Sequence, residues 1–221
     1  MGTVRGVSER RSYNQICSLA AALDVIGERW TLLIVRDLGF GPRRYGELLE
    51  GLPGIGEGLL AQRLRHLEAN DIVRRTFSPA ISAVVYELTE RGTALFEAAI
   101  PLARWGTDLV RDLEGGRADH VLLTLRSRLD PAASVGVHET YELRIDDEYY
   151  TIVADDGALR IERGPAPDAA VHVTLDLDTA MLLGTQQMTL SEARRKGLSK
   201  VSGDKDAVAR YGRLLRGFLR D

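Results

Sequence analysis

Apolar positions recur with a helical period over the first half of the 221-residue chain and with a strand period over much of the second. Leu19, Leu23, Ile26 and Trp30 are spaced as on one helix face, and Gly27 falls where that helix ends and another begins. Trp30, Leu33, Ile34 and Leu38 repeat the pattern until Gly39, Gly41 and Pro42 stop it. A short third helix is predicted over 45–49, closed by the turn Gly51-Leu52-Pro53-Gly54. The stretch 55–71 follows. Leu60, Leu64 and Leu67 lie on one stripe of a helix, opposite Gly58, Gln62, Arg65 and Ala69. Gly56 is a permissible cap, and Glu57 sits in the first turn, where the positive helix end favours a carboxylate. Gly58 costs the helix about 1 kcal/mol relative to Ala and lets another surface approach the backbone. Two strands, 72–77 and 84–88, with Ser78-Pro79-Ala80 as the turn between them, complete a helix-turn-helix with a two-stranded wing.

Beyond the wing, Thr89 is a plausible cap for a long helix ending at Gly115-Gly116, lined on one face by Leu95, Ala98, Leu102, Trp105, Leu109 and Leu113 and kinked at Pro101. Its apolar stripe is a candidate dimer surface; packing on its own domain or on the C-terminal half is the alternative. At Gly115-Gly116 the pattern changes. Alternation appears in Val121, Leu123 and Leu125; in Tyr141, Leu143 and Ile145; in Tyr150 and Ile152; in Leu159 and Ile161; and in Val171, Val173 and Leu175. Asp146-Asp147 and Asp155-Asp156-Gly157 are hairpin signals, and 164–167 is a longer loop. The economical reading is an antiparallel sheet. Helices close the chain: one over 179–183, one opened by the capping box Thr189-Leu190-Ser191-Glu192, and a last one from Asp204 with Val208, Tyr211, Leu215 and Phe218 facing inward. The expected fold class is therefore a mainly α winged helix-turn-helix over 1–114, followed by an α+β domain over 117–221. Residues 1–13 lack periodicity and read as a mobile arm.

Composition narrows the class further. An apolar content of 44% is enough for two cores, which excludes disordered and fibrous chains. The net charge of -3 shows no global basic field. Residues 1–75 nevertheless carry 11 Arg against 9 acidic residues, a net of +2, so the remainder carries -5. That asymmetry has the sign expected of an N-terminal DNA-binding unit. No apolar run approaches the roughly 20 residues of a membrane span, and the N-terminus has no apolar core of a signal peptide, so no membrane partner and a cytoplasmic location are expected. A single cysteine, Cys17, excludes an intramolecular disulfide or a Cys-based metal cluster, and the four His lack ligand spacing. No metal or other cofactor site is predicted. Asp146-Asp147 and Asp155-Asp156 read as turn residues, and no phosphate-binding Gly loop or nucleophile pattern accompanies the His. The chain is therefore not expected to be an enzyme.

Residues 17 to about 110 resemble the HxlR family of bacterial winged-helix transcriptional regulators. The resemblance rests on Cys17, on Leu23-Asp24-Val25-Ile26-Gly27-Glu28-Arg29-Trp30, on Tyr45-Gly46-Glu47-Leu48 and on Gly54-Ile55 leading into Gln62-Arg63-Leu64-Arg65-His66-Leu67-Glu68. It finishes with Tyr86-Glu87-Leu88-Thr89-Glu90-Arg91-Gly92 and Trp105. The sequence departs from the family at Gly56, where a Ser or Thr cap is usual, at Ser18, where Pro usually follows the cysteine, and in a longer, apolar wing tip. The second domain is similar to the sterol-carrier-protein fold, in Tyr141-Glu142-Leu143-Arg144-Ile145, the hairpin at Asp156-Gly157, the 178–184 segment and Val201-Ser202-Gly203-Asp204. The first resemblance implies double-stranded DNA as partner and a homodimer built from the N-terminal and post-wing helices. The second implies an apolar small-molecule site whose residues the sequence does not name.

On that reading Gly58, Ala61, Gln62 and Arg65 enter a major groove, and His66 at the flank reaches a base edge or a phosphate. Gln pairs bidentately with adenine and Arg with guanine, so Gln62 and Arg65 are the expected sequence readers. As bare surface chemistry the same residues would be an ordinary solvated helix face. Arg63, nearer the leucine stripe, is expected in a structural ion pair. Arg43, Arg44, Arg74 and Arg75 flank the helix where phosphate contacts fix register; a solvated basic surface is the rival. Cys17 opens the first helix, whose positive end favours a thiolate, and family members can use the matching cysteine as an oxidation or electrophile sensor. A buried free cysteine acting as a small hydrophobe is the alternative. The competing function is an apolar-ligand carrier whose winged helix mediates protein interaction.

Overall fold

The computed structural model describes residues 12–110 and 115–215, and the chain divides into two units between Phe96 and Glu97. The first unit comprises α1 (Ser18–Ile26), α2 (Thr31–Leu38), α3 (Tyr45–Gly51), α4 (Glu57–Ala69), β1 (Val73–Ser78), β2 (Ala83–Leu88) and the start of α5 (Glu90–Gly106). Of the predicted stripes, Ile34, Leu38, Leu60, Leu64 and Leu67 are core, joined by Val35 and Leu48, all at most 3% exposed, whereas Leu19, Leu23 and Leu33 of the same stripes are exposed. The wing strands pair antiparallel from Val73 opposite Leu88 to Ser78 opposite Ala83, joined by a 3-10 turn over Pro79–Ile81. Arg43 adds a further bridge to β2: its N–H donates to the Tyr86 carbonyl at 2.9 Å, and the Tyr86 N–H donates back at 2.8 Å.

The first turns of α5 are fixed by small residues and one cap. The Thr89 hydroxyl donates to the Asp71 carbonyl at 2.6 Å and accepts from the Gly92 N–H at 3.0 Å. Gly92 is buried so close to β1 that a Cβ there would lie 2.0 Å from the Ile72 carbonyl oxygen. Phe96 stands edge-on to Phe40 at 5.3 Å and fills the space a Cβ on Gly39 would need. The helix expected to reach Gly115-Gly116 stops at Gly106 and passes into a 3-10 turn over Thr107–Leu109. Gly106 supplies neither side chain nor propensity to continue it. Leu113 lies outside the described residues. So does most of the expected arm; its last residues are anchored, since the Ser12 hydroxyl and the Tyr13 N–H both donate to the Asp24 carboxylate, at 2.7 and 2.9 Å.

The second unit holds α6 (Ala118–Arg128), β3 (His138–Ile145), β4 (Glu148–Asp155), β5 (Ala158–Arg163), β6 (Val171–Leu175), α7 (Leu177–Gly184), α8 (Leu190–Arg195), β7 (Ser199–Gly203) and α9 (Lys205–Leu214). The sheet order is β5-β4-β3-β6-β7. The sheet is mixed rather than wholly antiparallel: β6 runs parallel to β3, Tyr141 opposite Val171 and Ile145 opposite Leu175. The long loop after β5 carries the chain past β4 and β3 to the far side of the sheet, which a tight hairpin could not do. Both expected hairpin turns form, with Asp146, Asp156 and Gly157 at φ of 52°, 44° and 88°. Asp176, Thr189 and Asp204 each accept backbone N–H groups at the starts of α7, α8 and α9.

Two expectations fail here. The segment with Val121, Leu123 and Leu125 is helix α6, not a strand: the buried positions are Val121, Leu122, Leu125 and Leu129, a helical stripe, while Leu123 is half-exposed. The run Val121-Leu122-Leu123 is apolar at both parities, so alternation over three positions had no power to distinguish the two. Strand β7 was not expected at all, because Ser-Lys-Val-Ser-Gly carries only one apolar residue on an edge strand. Phe218 lies outside the described residues. Among the described residues, no helix is long and apolar enough to cross a membrane.

Candidate nucleic-acid interface and apolar cavity

Helix α4 is clamped on three sides within its unit. Its leucine stripe is buried, the Tyr45 hydroxyl donates to the Glu57 carbonyl in its first turn at 2.7 Å, and Arg63 ties its middle to the α1–α2 turn. Arg63 donates to the Arg29 carbonyl at 3.2 Å and pairs with Glu28 at 2.9 Å, the structural role its position suggested. The opposite face is free. Gly58, Gln62 and Arg65 are exposed and Ala61 is half-buried between them; a Cβ on Gly58 would meet nothing within 4 Å. Among the described residues Gln62 and Arg65 make no hydrogen bond or ion pair. Burial first, then the charge of Glu57, pushes the Tyr45 hydroxyl up, and nearby Arg65 opposes that shift, which puts the Arg65 charge beside the start of α4.

His66 does not stand at the flank of this face. It is half-buried, with Nε2 2.9 Å from the Val25 carbonyl oxygen, and it fastens α4 to α1 inside the unit. The ring is occupied by a half-buried main-chain partner, and turning it outward would give up that hydrogen bond. The four arginines differ as well. Arg75 is exposed on the wing and without a hydrogen bond or ion pair among the described residues. Arg44 is exposed, and its guanidinium lies 3.5 Å from the Ile81 carbonyl at the wing tip. Arg43 is half-buried with its backbone in the wing bridge. Arg74 is engaged across the wing with Glu87 at 2.7 Å, although it is still largely exposed. The wing tip itself is apolar and open, with Phe77 59% and Ile81 46% exposed.

Cys17 caps the start of α1, its carbonyl accepting the Ala21 N–H at 2.9 Å, and it is exposed rather than packed as a small hydrophobe.

In the second unit the sheet and the helices α6, α7, α8 and α9 line a half-open cavity of about 120 Å³. Val121, Leu143, Ile145, Leu183 and Val208 represent its lining, which is apolar apart from Tyr211 and Arg194. Tyr211 is 6% exposed, its ring 4.9 Å from that of Tyr141; burial alone drives its hydroxyl well above the ordinary phenol value. Arg194 is exposed at the rim and has no ion-pair partner among the described residues.

Residues 25–114 match the model of the HxlR-like helix-turn-helix, and residues 120–216 match that of the SCP-2 sterol transfer family. The chain is 39% identical over 94 residues to the HTH-type transcriptional regulator YodB of Bacillus subtilis, covering 42% of this chain and 84% of that protein. The chain belongs to the HxlR family. A second relative, the uncharacterized HTH-type transcriptional regulator Mb3122 of Mycobacterium bovis, is 42% identical over 99 residues, which make up 44% of this chain and 62% of the relative. The solved reduced form of YodB is 36% identical over 47% of this chain and all of that chain, with a TM-score of 0.38. These relatives are transcriptional regulators, a class that is not enzymatic.

Within this HxlR-type unit, sequence reasoning missed Tyr45, whose hydroxyl sets the start of α4, and the wing bridge at Arg43. Tyr45 lies twelve residues before its partner across a turn, beyond the reach of any helical period. For the cavity, Val208, Tyr211 and Leu215 were legible as the inward side of the last helix, whereas Arg194 was not. Nothing in a Glu-Ala-Arg-Arg run marks one arginine as the rim of a pocket.

Proposed function

We propose that this protein is a dimeric transcriptional regulator that places α4 in the major groove of a pseudo-palindromic operator and responds to an apolar small molecule held in its C-terminal unit. The observation that carries the reading is the unengaged face of α4. Gly58 and Ala61 permit close approach, while Gln62 offers a paired donor and acceptor and Arg65 two donors, with no internal partner to release. Arg44 and Arg75 supply the free charge for phosphates on either side, with Arg43 and Arg74 as secondary contacts. Two copies would set two such helices about 34 Å apart, on successive turns of the groove. Cys17, exposed at the mouth of α1, is the position at which an oxidant or electrophile would act in this reading. The effector acts only by binding the DNA-competent and incompetent states with different affinity.

Titration of the full chain against promoter and random DNA over a range of salt tests this. A steep salt slope with sequence preference is expected. Arg65→Ala costs about 1–3 kcal/mol and relaxes preference at one base pair, while Arg75→Ala weakens all sequences alike and lowers the slope by about one. Absence of DNA binding at low salt overturns the reading in favour of an apolar-ligand carrier.

A further inference from the structure

The wing of the first unit ends in an apolar tip left open to solvent. Phe77 is 59% exposed, Ile81 46% and Val84 40%, and Pro79 and Ala80 between them are exposed as well. No residue from Thr76 to Tyr86 is charged. Phe77 lies directly opposite Val84, and Arg75 opposite Tyr86, so these four share one face of the wing. Glu87, the one acid of the two strands, is on the other face and is engaged by Arg74 at 2.7 Å. The cations beside the tip are not neutralised. Arg75 is exposed on the Phe77 face, and Arg44 lies 3.5 Å from the Ile81 carbonyl; neither has a carboxylate partner among the described residues. The root of the wing is fixed to the end of α4, since the Ile72 N–H donates to the Leu67 carbonyl at 2.9 Å and Arg43 extends the sheet at Tyr86.

We propose that this tip is a wedge: on duplex DNA, Ile81 and Phe77 enter the minor groove beside the bases that α4 reads and open one base step, kinking the duplex, while Arg75 and Arg44 hold the flanking phosphates. The proposal rests on reading the first unit as DNA-binding and adds a source of specificity to it. Unpaired cations around an uncharged tip suit a polyanion. The tip side chains carry no donor or acceptor for a groove edge, so an intact duplex gives them little to bind. The faces of unstacked bases are the apolar surface DNA can offer, and Phe, Ile and Pro are the side chains that exploit it. Two strands about 4.8 Å apart, with their side chains, also exceed a minor groove about 6 Å wide, so entry requires the groove to open. The cost of opening depends on the step, being lowest at TA and CA, and the protein thereby prefers sequences it does not hydrogen-bond.

The probe is the duplex that the full chain enriches from a random-sequence library, carrying 2-aminopurine at its flexible step and a pair of energy-transfer dyes at its ends. Enriched sites are expected to hold a TA or CA step at a fixed distance outside the bases α4 contacts. Binding should brighten the 2-aminopurine and bend the duplex by about 20–90°. Changing that step to AA should weaken binding about tenfold, a comparison that needs no variant. Phe77→Thr with Ile81→Ser should remove both signals and the step preference, whereas Ile81→Met, which keeps an apolar wedge, should retain them. Thr suits an exposed strand and Ser a turn, and the melting temperature verifies the fold. Arg65→Ala should lower affinity yet leave the bend at saturating protein. Binding with neither signal, or enriched sites without a flexible step, overturns the wedge and leaves DNA binding standing. A bend that survives in the double variant assigns the deformation to another element and overturns the wedge too. A smaller sedimenting species for the double variant shows that a second copy covers the tip, which also overturns it. Enrichment of no duplex at low salt overturns both the wedge and the DNA-binding reading beneath it.

Discussion

Glu139, on β3, accepts from the Arg210 guanidinium at 2.9 Å and from the Tyr141 hydroxyl at 2.7 Å. The bond from Arg210 is the largest influence on its carboxyl and, with Tyr141, outweighs burial to hold it below the usual carboxylate range. A carboxyl depressed in the folded state stabilises it fully above the unfolded value, and that stability is lost as pH falls through the lower, folded value. The melting temperature of the full chain should therefore fall between about pH 5 and pH 3. Glu139→Gln should cost about 1–2 kcal/mol at pH 7 and flatten the acid slope, which scanning calorimetry from neutral to acid pH reads. An unchanged slope in the variant would show that other carboxylates dominate. At this scale the sequence revealed surfaces better than partners. Gln62 and Arg65 follow from spacing on one helix, whereas His66 shares that helix and is held by Val25, 41 residues away, a contact no local pattern contains.

Helix α5 shows how a single missing side chain can set the placement of an element. Gly92 interrupts an otherwise favourable helical run, and replacing a helical Gly with Ala ordinarily gains about 1 kcal/mol. Here the added methyl would meet a main-chain carbonyl at 2.0 Å, and backbone cannot step aside as a side chain does. Gly92→Ala should therefore lose about 1–3 kcal/mol in a denaturant melt, while Gly46→Ala in α3, where a Cβ meets nothing within 4 Å, should not. Stabilisation by both would show that α5 has room to shift. Elements with a long, clean period, namely α1 to α4 and β3 to β6, were legible before any coordinates. Those decided by tertiary burial were not: α6 is a helix because Leu122 is wholly buried beside Val121 and Leu125, and β7 exists because β6 offers it an edge.

For the whole molecule the informative feature is the apolar surface left uncovered. On α1, Leu19 is 66% exposed and Leu23 38%; on α5, Leu102 is 51% and Trp105 71%. Stripes of this kind, on the helices that family resemblance assigns to the dimer, are surfaces a second copy would bury. In the dimer proposed above, Trp105→Glu should shift the sedimenting species to monomer and reduce operator affinity by more than tenfold, since on that reading each half-site relies on Gln62 and Arg65 to read bases. A Trp105→Glu protein that remains dimeric would place the interface elsewhere.

The parallel pairing of β6 with β3 also sets the order in which the C-terminal unit can be made. Strands β3, β4 and β5 are joined by tight hairpins and can assemble as soon as they leave the ribosome. The second edge of β3 has no partner until residues 171–175 arrive, and during that interval it is an open template for another chain. Closing that edge requires contacts some thirty residues apart in sequence, so the strand that completes the unit also governs its speed of folding and its exposure to aggregation.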